Sequence, residues 1–183
     1  SDLINIIYFK MRRDFMDKII IREAKTEDAK EIISYLNQIG GESDNLLFGF
    51  NEFNMSVENE MAYIRRINDS NKDWMLIALI DDEIAGIASL QGFSQIRIEH
   101  RCNLAVSVKK KYWHQGIGTQ LIKKLIVCAK EREIDVIELE VRSDNLNAIS
   151  LYEKLGFEKI GYYQKFFKIN GEYYDAYLMN LYL

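Results

Sequence analysis

The chain has 183 residues, of which 48% are hydrophobic and 28% charged, and its formal net charge is −4 at pH 7. These proportions exclude a disordered or collagen-like chain, and the length suits one globular domain. A chain with a slight excess of acidic residues has no strongly basic surface, so we expect no nucleic-acid partner.

Cysteine and histidine are too few and too widely spaced for a metal site. Cys102 and Cys128 lie 26 positions apart, and the histidines are His100 and His114. We therefore expect no bound metal, and two buried thiols in a reducing compartment. No apolar run reaches the roughly 18 residues of a membrane helix, so we expect a cytoplasmic protein without a membrane partner.

The first 17 residues differ from the rest of the chain. A short apolar patch, Leu3–Phe9, precedes Lys10, Arg12 and Arg13, which is the reverse of the order in a secretory signal. We interpret residues 1–17 as an extension, native or added by cloning, and expect the domain to occupy residues 18–183.

The first half of the domain is predicted from strand composition, helical spacing and caps. Three acidic residues, Asp81–Glu83, are predicted to form a hairpin turn between two apolar strands. In chain order the predicted elements are a strand at Lys18–Glu23, a helix capped by Thr26 and ended by Gly40-Gly41, a helix from Ser56, and strands at Trp74–Ile80 and Ile84–Leu90 joined by Asp81–Glu83.

The second half alternates strands and helices and ends in a hairpin signal, Asn-Gly. Apolar residues at even positions predict a long strand at Gln95–Val108. After it we predict a helix to about Glu133, a strand at Ile134–Arg142, a helix at Asn145–Leu155 closed by Gly156, and a hairpin of Phe157–Lys168 and Tyr173–Leu181 around Asn170-Gly171. The order β-α-α-β-β-β-α-β-α-β-β indicates a single-domain α/β fold, with a mixed, mostly antiparallel twisted sheet flanked by helices.

The segment after Val108 is typical of an anion site. The strand ends, a loop turns, and a helix begins on Gly116-Ile117-Gly118. Unpaired N–H groups and the helix dipole favour a diphosphate there, and glycine lets phosphate oxygens approach the backbone. Lys109, Lys110 and Lys111 would attract a polyanion. A turn without a ligand is the alternative interpretation.

Other phosphate motifs fit this segment less well. The dinucleotide fingerprint needs a third glycine where this chain has Leu121, and the Gly-Lys-Ser/Thr of a Walker motif is absent. A nucleotide-binding module of another fold stays open as an alternative.

Three sequence blocks resemble the GNAT acetyltransferase superfamily and occur in its order. VSVKKKYWHQGIG is similar to the family's acetyl-CoA motif, (Arg/Gln)-x-x-Gly-x-(Gly/Ala). IELEVRSDN follows, and NLNAISLYEKLGF resembles the family's N-x-x-A-x-x-L-Y-x-x-x-G-F block. One departure is Trp113, which stands where the family usually has Arg or Gln, so a side-chain contact to phosphate is expected to be lost. The resemblance covers residues 18–183 and extends to the amino-acid and ribosomal-protein-alanine branches.

The resemblance implies roles for specific residues, with acetyl-CoA as the co-substrate. Strand residues before the turn would bind pantetheine through their backbone, and one of their N–H groups would polarise the thioester carbonyl. Asn145 would contact the CoA arm, and Tyr152 would be the general acid beside the sulfur. The strand residues are Val106, Ser107 and Val108, and the pyrophosphate would lie on the N–H groups of His114, Gln115, Gly116, Ile117, Gly118 and Thr119.

Attack on a thioester requires a neutral amine. An α-amine is roughly 10–20% neutral at pH 7 and a lysine amine under about 0.1%, so a base is needed more for lysine. Glu138 and Glu140 share one face of a strand. Glu140 matches the base position of the ribosomal-protein-alanine branch and is our candidate, with Glu138, or water alone, as alternatives.

The acceptor is the least determined part of the function. The family's acceptor site would draw here on aromatic residues that suit a hydrophobic side chain beside the amine, and the ending KINGEYYDAYLMNLYL is similar to a branch that acetylates free amino acids. We expect direct transfer without an acyl-cysteine, to a small-molecule or peptide amine. A protein N-terminus or lysine as acceptor, and a non-catalytic acyl-CoA sensor, are the alternatives, and the oligomeric state is open, with a homodimer among the options. The aromatic residues are Phe48, Phe50, Phe53, Tyr162, Tyr163, Phe166 and Phe167.

Overall fold

A computed structural model describes residues 18–183, and the predicted extension, residues 1–17, lies outside the described residues. The elements occur in the predicted order. The helices are α1 (Ala29–Gly40), α2 (Val57–Asn68), α3 (Ile117–Glu131) and α4 (Leu146–Lys154), and the strands are β1 (Ile20–Glu23), β2 (Trp74–Ile80), β3 (Glu83–Gly92), β4 (Arg101–Val108), β5 (Val136–Arg142), β6 (Glu158–Ile169) and β7 (Glu172–Tyr182).

These strands form one seven-stranded sheet in the order β1-β2-β3-β4-β5-β7-β6. The neighbours β4 and β5 are parallel, and the other paired strands are antiparallel. The sheet is therefore mixed and mostly antiparallel, as predicted, and its single parallel pair lies at the centre.

Helices cover both faces of the sheet. Residues of α3 and α4, such as Leu121 and Ile149, belong to one buried cluster with alternate sheet residues. Residues of α1 and α2, such as Ile32 and Ile64, belong to a second cluster on the opposite face. Strand residues alternate between these clusters because successive side chains point to opposite faces of a sheet. No helix within residues 18–183 is long and apolar enough to cross a membrane.

Local signals were accurate at three turns. Ser56 caps α2 by accepting a hydrogen bond from the Asn59 amide at 3.2 Å. Asp81 and Asp82 both have positive φ, 48° and 63°, as a tight hairpin turn between β2 and β3 requires. The Asn170-Gly171 pair also has positive φ, at 50° and 87°, and joins β6 to β7.

The predicted strand Gln95–Val108 is wrong in its first half. Ile96–Ile98 forms a 3₁₀ turn, with Ile96 82% exposed, and β4 begins only at Arg101. The physical reason is the pairing of β3 with β4. Gly92 already faces Cys102, so the intervening residues must reverse the chain direction.

The predicted cap of α1 is also wrong. Thr26 lies in a 3₁₀ turn, and α1 begins at Ala29. The side chain that organises this turn is Asp28, whose carboxylate accepts hydrogen bonds from the Lys25 amide at 2.7 Å and from the Arg22 guanidinium. The arginine is the largest cause that lowers the pKa of Asp28.

Candidate active site

The centre of the sheet contains a gap between β4 and β5. The two strands pair only where Arg101, Cys102 and Asn103 face Val136, Ile137 and Glu138. Both strands continue beyond this contact, to Val108 and to Arg142. The edge of β4 from Leu104 to Val108 therefore has no strand partner on the β5 side among residues 18–183.

Alternate residues of β4 direct their main-chain N–H and C=O groups into this gap. On its other edge, Lys109 N donates to Ala85 O, and Phe93 N donates to Arg101 O. In an antiparallel pair such hydrogen-bonded positions alternate, so odd-numbered residues of β4 bond to β3. Even-numbered residues, including Val106 and Val108, direct their N–H and C=O groups towards β5. Of the three predicted strand residues, Ser107 is thus the one whose backbone faces away from the gap.

The turn after β4 leads to an open cradle of N–H groups. Within residues 18–183, the main-chain N–H groups from His114 to Thr119 have no acceptor in the protein, and the N-cap Gly116 makes no side-chain cap. His114 and Gly116 both have positive φ, 61° and 85°, which is the alternation of backbone conformations found in anion-binding nests. All six predicted cradle residues therefore offer a donor at the start of α3, next to the gap.

Trp113 has a structural role that its sequence position did not reveal. Its indole Nε1–H donates to Val108 O at 2.7 Å, which is a carbonyl group that otherwise faces the gap. The side chain thus fixes the end of β4 against the turn. The side chain at this motif position therefore makes a hydrogen bond within the protein, as part of the turn.

The three lysines of the turn do not act as one basic cluster. Lys109 is buried, with 6% of its surface exposed, and its Nζ donates to Glu83 Oε1 at 2.6 Å. Lys111 Nζ donates to Glu83 Oε2 at 2.6 Å, and the Tyr112 hydroxyl donates to the same oxygen at 3.1 Å. Hydrogen bonds from these lysines lower the pKa of Glu83 to about 2. Of the three ammonium groups, that of Lys110 is the one without a carboxylate partner in the described residues.

Helix α4 lies along the same gap. An added Cβ at Gly118 would stand 3.6 Å from Leu151 and 3.8 Å from Val108, so α3, α4 and the end of β4 converge there. Asn145 is the N-cap of α4, and its Oδ1 accepts from the Ala148 amide at 3.2 Å. The oxygen of Asn145 is thus used as a cap, and its amide NH₂ is left to bind a ligand.

Tyr152 lies on the buried side of α4, with its ring centroid 5.7 Å from that of Phe157. Its hydroxyl bonds to no atom of the described chain, and burial raises its pKa to about 12. A phenol of this kind stays protonated at neutral pH and can donate a hydrogen bond. The same burial makes full loss of its proton difficult.

The opposite face of the gap carries the two candidate bases. Glu138 is paired with Arg101, whereas Glu140 is exposed and accepts one hydrogen bond, from Asn103 Nδ2 at 3.3 Å. Ala105 of β4 is also exposed, although β4 is a central strand, so this face is open beside the gap. The free carboxylate there is Glu140.

The segment 41–56 between α1 and α2, called here the α1–α2 loop, crosses this open face. Glu42 Oε2 accepts from the Lys110 amide at 2.6 Å, beyond the end of β4. Asp44 O accepts from Arg142 Nη1 at 3.1 Å, at the end of β5. The loop is therefore held to both strands that border the gap.

The predicted aromatic residues divide between this loop and the terminal hairpin. The rings of Phe48 and Phe53 are 6.0 Å apart in the loop. Phe167 is buried, and its ring is 4.9 Å from that of Phe166. Phe166 is 38% exposed and Tyr163 is 48% exposed. Phe50 is 66% exposed. Phe48 and Phe53 thus belong to the loop over the open face, whereas the ring of Tyr162 packs 5.2 Å from that of Tyr177, on the α3–α4 side of the sheet.

Comparisons with known proteins agree with this geometry. A family model described as "Acetyltransferase (GNAT) family" matches residues 43–157. The L-amino acid N-acetyltransferase AaaT of Escherichia coli is 30% identical over 90% of this chain and 98% of its own length. The [ribosomal protein bS18]-alanine N-acetyltransferase of E. coli is 31% identical over 48% of this chain and 60% of its own length.

Solved structures have the same fold. An acetyltransferase of the GNAT family from Streptococcus pneumoniae superposes with a TM-score of 0.88 at 28% identity, covering 90% of this chain and 99% of that one. The acetyltransferase yncA from Salmonella typhimurium, solved with acetyl-CoA, has a TM-score of 0.80 at 20% identity over 91% and 94% of the two chains. The divergent strands, the open cradle and these similarities together show that the chain is an acetyltransferase of the GNAT family.

Proposed function

We propose that the protein transfers an acetyl group from acetyl-CoA directly to the amino group of a free amino acid or another small amine. The use of acetyl-CoA as the acetyl donor is supported by the edge of β4, which has no strand partner beyond Asn103 among residues 18–183. This edge ends at the cradle, whose N–H groups have no acceptor in the same residues. A free amino acid as the acetyl acceptor is supported by the similarity to an L-amino acid N-acetyltransferase, which covers nearly the whole length of that enzyme. Neither the donor nor the acceptor requires a metal.

The donor would lie along β4. Its diphosphate would accept hydrogen bonds from the N–H groups of the cradle, and Val106 and Val108 would bond to the pantetheine arm as a strand does. One of these two N–H groups would stabilise negative charge on the thioester oxygen. Tyr152 would donate a hydrogen bond to the departing sulfur.

Direct transfer is supported by the state of the cysteines. Cys102 is buried, and burial is the largest cause that raises the pKa of its thiol to about 12. Such a thiol is not a nucleophile at neutral pH. The amine nitrogen would attack the thioester carbon itself, forming the C–N bond as the C–S bond breaks.

Glu140 is proposed to receive the proton of the amine, directly or through water. We expect Glu140→Gln to lower kcat/KM for the amine by about 100-fold, within the usual range for a general base, without a change in acetyl-CoA affinity. The matched control is Glu138→Gln, on the same strand face, because Glu138 is already paired with Arg101. Equal losses in both variants would contradict the role of Glu140.

We propose that Glu83 stabilises the turn between β4 and α3, which leads to the cradle of N–H groups. Removing a negative charge near a polyanion site would strengthen binding if charge alone mattered. We expect the reverse, because Glu83 fixes Lys109, Lys111 and Tyr112. Glu83→Gln should weaken acetyl-CoA binding about threefold to tenfold, measured by calorimetry, a modest effect of about 1 kcal/mol.

The pH dependence of this effect follows from the low pKa of Glu83. The pKa of Glu83 is about 2 in the folded protein and about 4.3 in an unfolded chain. The ionised Glu83 therefore stabilises the folded protein fully at pH values above about 4.3. This contribution is lost as the pH falls towards 2. Between pH 6 and 9 the difference between Glu83→Gln and wild type should therefore be constant, and tighter binding by the variant would overturn the proposal.

The function is tested by thermal denaturation with acetyl-CoA, followed by an amine panel in which release of free thiol is measured. Acetyl-CoA at 100 times its dissociation constant should stabilise the protein by about 2.7 kcal/mol. Thiol release with free amino acids supports the proposal. Binding without turnover for any amine would indicate an acyl-CoA sensor, and stabilisation by NAD but not by CoA would indicate a nucleotide-binding module.

A peptide acceptor is the second candidate. Leu47 and Phe50 of the α1–α2 loop are 80% and 66% exposed, which offers an apolar surface beyond the size of an amino acid, and one relative acts on ribosomal protein bS18. Adding peptides with a free N-terminus to the same panel separates the two. Turnover of peptides alone would exclude the small acceptor.

A further inference from the structure

Glu60 is a buried carboxyl group without a partner. Only 1% of its surface is exposed, and neither carboxylate oxygen is hydrogen-bonded within the described part of the chain. Burying a carboxyl group without a hydrogen-bond partner is unfavourable, and it is more so when the group is charged. Burial alone raises its pKa, without a contribution from any neighbouring charge. A residue kept in this state suggests that its partner is supplied from outside.

The position of Glu60 follows from the packing of α1 against α2. Near the end of α2, Asn68 Nδ2 donates to Ala24 O at 3.0 Å, just before α1. At the other end, Asn37 of α1 exchanges two hydrogen bonds with the backbone of Phe53, just before α2. The two helices are therefore antiparallel and in contact along their length.

This arrangement places Glu60 level with Tyr35. Ile67 and Ala29 belong to one buried cluster near one end of the helix pair. Going back seven residues along α2 covers about 10.5 Å and reaches Glu60, and going forward six residues along α1 covers about 9 Å and reaches Tyr35. The Tyr35 hydroxyl is hydrogen-bonded to Ser107 Oγ at 3.1 Å, and Ser107 lies between the two residues of β4 that face the gap.

We propose that Glu60 is a binding residue for the acceptor, whose ammonium group becomes the ion-pair partner that this carboxylate lacks in the free protein. This inference rests on the proposed function and adds to it the group that recognises the positively charged amine before Glu140 takes its proton. The α1–α2 loop, which joins the two helices above Glu60, would have to move for the acceptor to enter.

The first test is the stability of the free protein. A residue with an internal structural role destabilises the protein when it is replaced, whereas a residue kept for a ligand does the opposite. We expect Glu60→Met, of similar length and apolar, to raise Tm by about 2 °C or more. The control is Glu58→Met, at an exposed site in the same turn of α2, which should leave Tm nearly unchanged. A lower Tm for Glu60→Met would overturn the proposal.

The second test is binding of L-phenylalanine, phenethylamine and 3-phenylpropionate to the CoA-saturated protein by calorimetry. Glu60→Gln should weaken both amines at least about tenfold, because each loses a charge-assisted contact, and should not weaken 3-phenylpropionate, which has no amine. Equal weakening of all three compounds would overturn the proposal. If CoA binds to the wild-type protein but no amine does, the proposed acceptor class is wrong. The change in Tm of Glu60→Met then decides alone whether Glu60 is a ligand-binding residue.

Discussion

Gly118→Asp is expected to lower acetyl-CoA affinity by at least about 100-fold, or about 2.7 kcal/mol. An added side chain at this position extends towards Val108 and Leu151, where β4, α3 and α4 meet. A carboxylate there would face the diphosphate across the same N–H groups that should bind it. The two anions would compete for one set of donors, and like charges would repel at short range.

The fold should tolerate this change. The Cβ distances at Gly118, 3.6 and 3.8 Å, are ordinary contacts, and an acidic residue in the first turn of a helix interacts favourably with the helix dipole. Tm without ligand should therefore be equal to that of wild type or higher, while the shift produced by acetyl-CoA disappears. Gly118→Asn is the matched neutral control, and an equal loss in both variants would show that bulk rather than charge is responsible.

Tyr152→Phe is expected to lower kcat by about 100-fold, as removal of a general acid commonly does, with little change in acetyl-CoA affinity. Transfer of its proton to a thiolate of pKa about 8.5 is uphill by about 5 kcal/mol, since the pKa of Tyr152 is about 12. Its contribution should therefore be a hydrogen bond that stabilises the leaving thiolate. Stopped-flow measurement of thiol release under saturating substrates gives the rate.

The pH profile distinguishes this role from others. Burial keeps Tyr152 protonated to about pH 12, so the ratio of wild-type to variant kcat should be constant from pH 7 to 10. A ratio that falls above pH 9 would indicate that Tyr152 titrates in the active enzyme. An unchanged kcat in the variant would leave Tyr152 as a packing residue beside Phe157.

Features that depend on neighbouring residues could be predicted from the sequence. Ser56, Gly116 and Asn170-Gly171 act through backbone conformations and caps that their own chemistry favours. The cradle was predictable for the same reason, since its donors come from consecutive residues at one helix end. At Thr26 a neighbouring residue was decisive, because Asp28, which bonds to the Lys25 amide and to Arg22, organises the turn instead.

Features that depend on distant residues were not predictable. The gap arises because β4 and β5 separate after three residues, and no pattern within either strand encodes that separation. Lys109 is sequestered by Glu83, which lies 26 positions earlier. Glu60 did leave a signal, because it precedes Ile64 by four residues and Ile67 by seven, the spacing of one helix face. Only the packed structure shows that its carboxylate has no partner among residues 18–183.

The gap between β4 and β5 runs through the sheet, from the face covered by α3 and α4 to the face covered by α1 and α2. The cradle and α4 border it on the α3–α4 side, and the α1–α2 loop and Glu140 border it on the other. On the proposed function, the donor would reach the gap from the cradle side, and the acceptor would reach it from the opposite side once the α1–α2 loop has moved. In that case both reactants would be bound at once, and spent CoA would leave without passing the acetylated product.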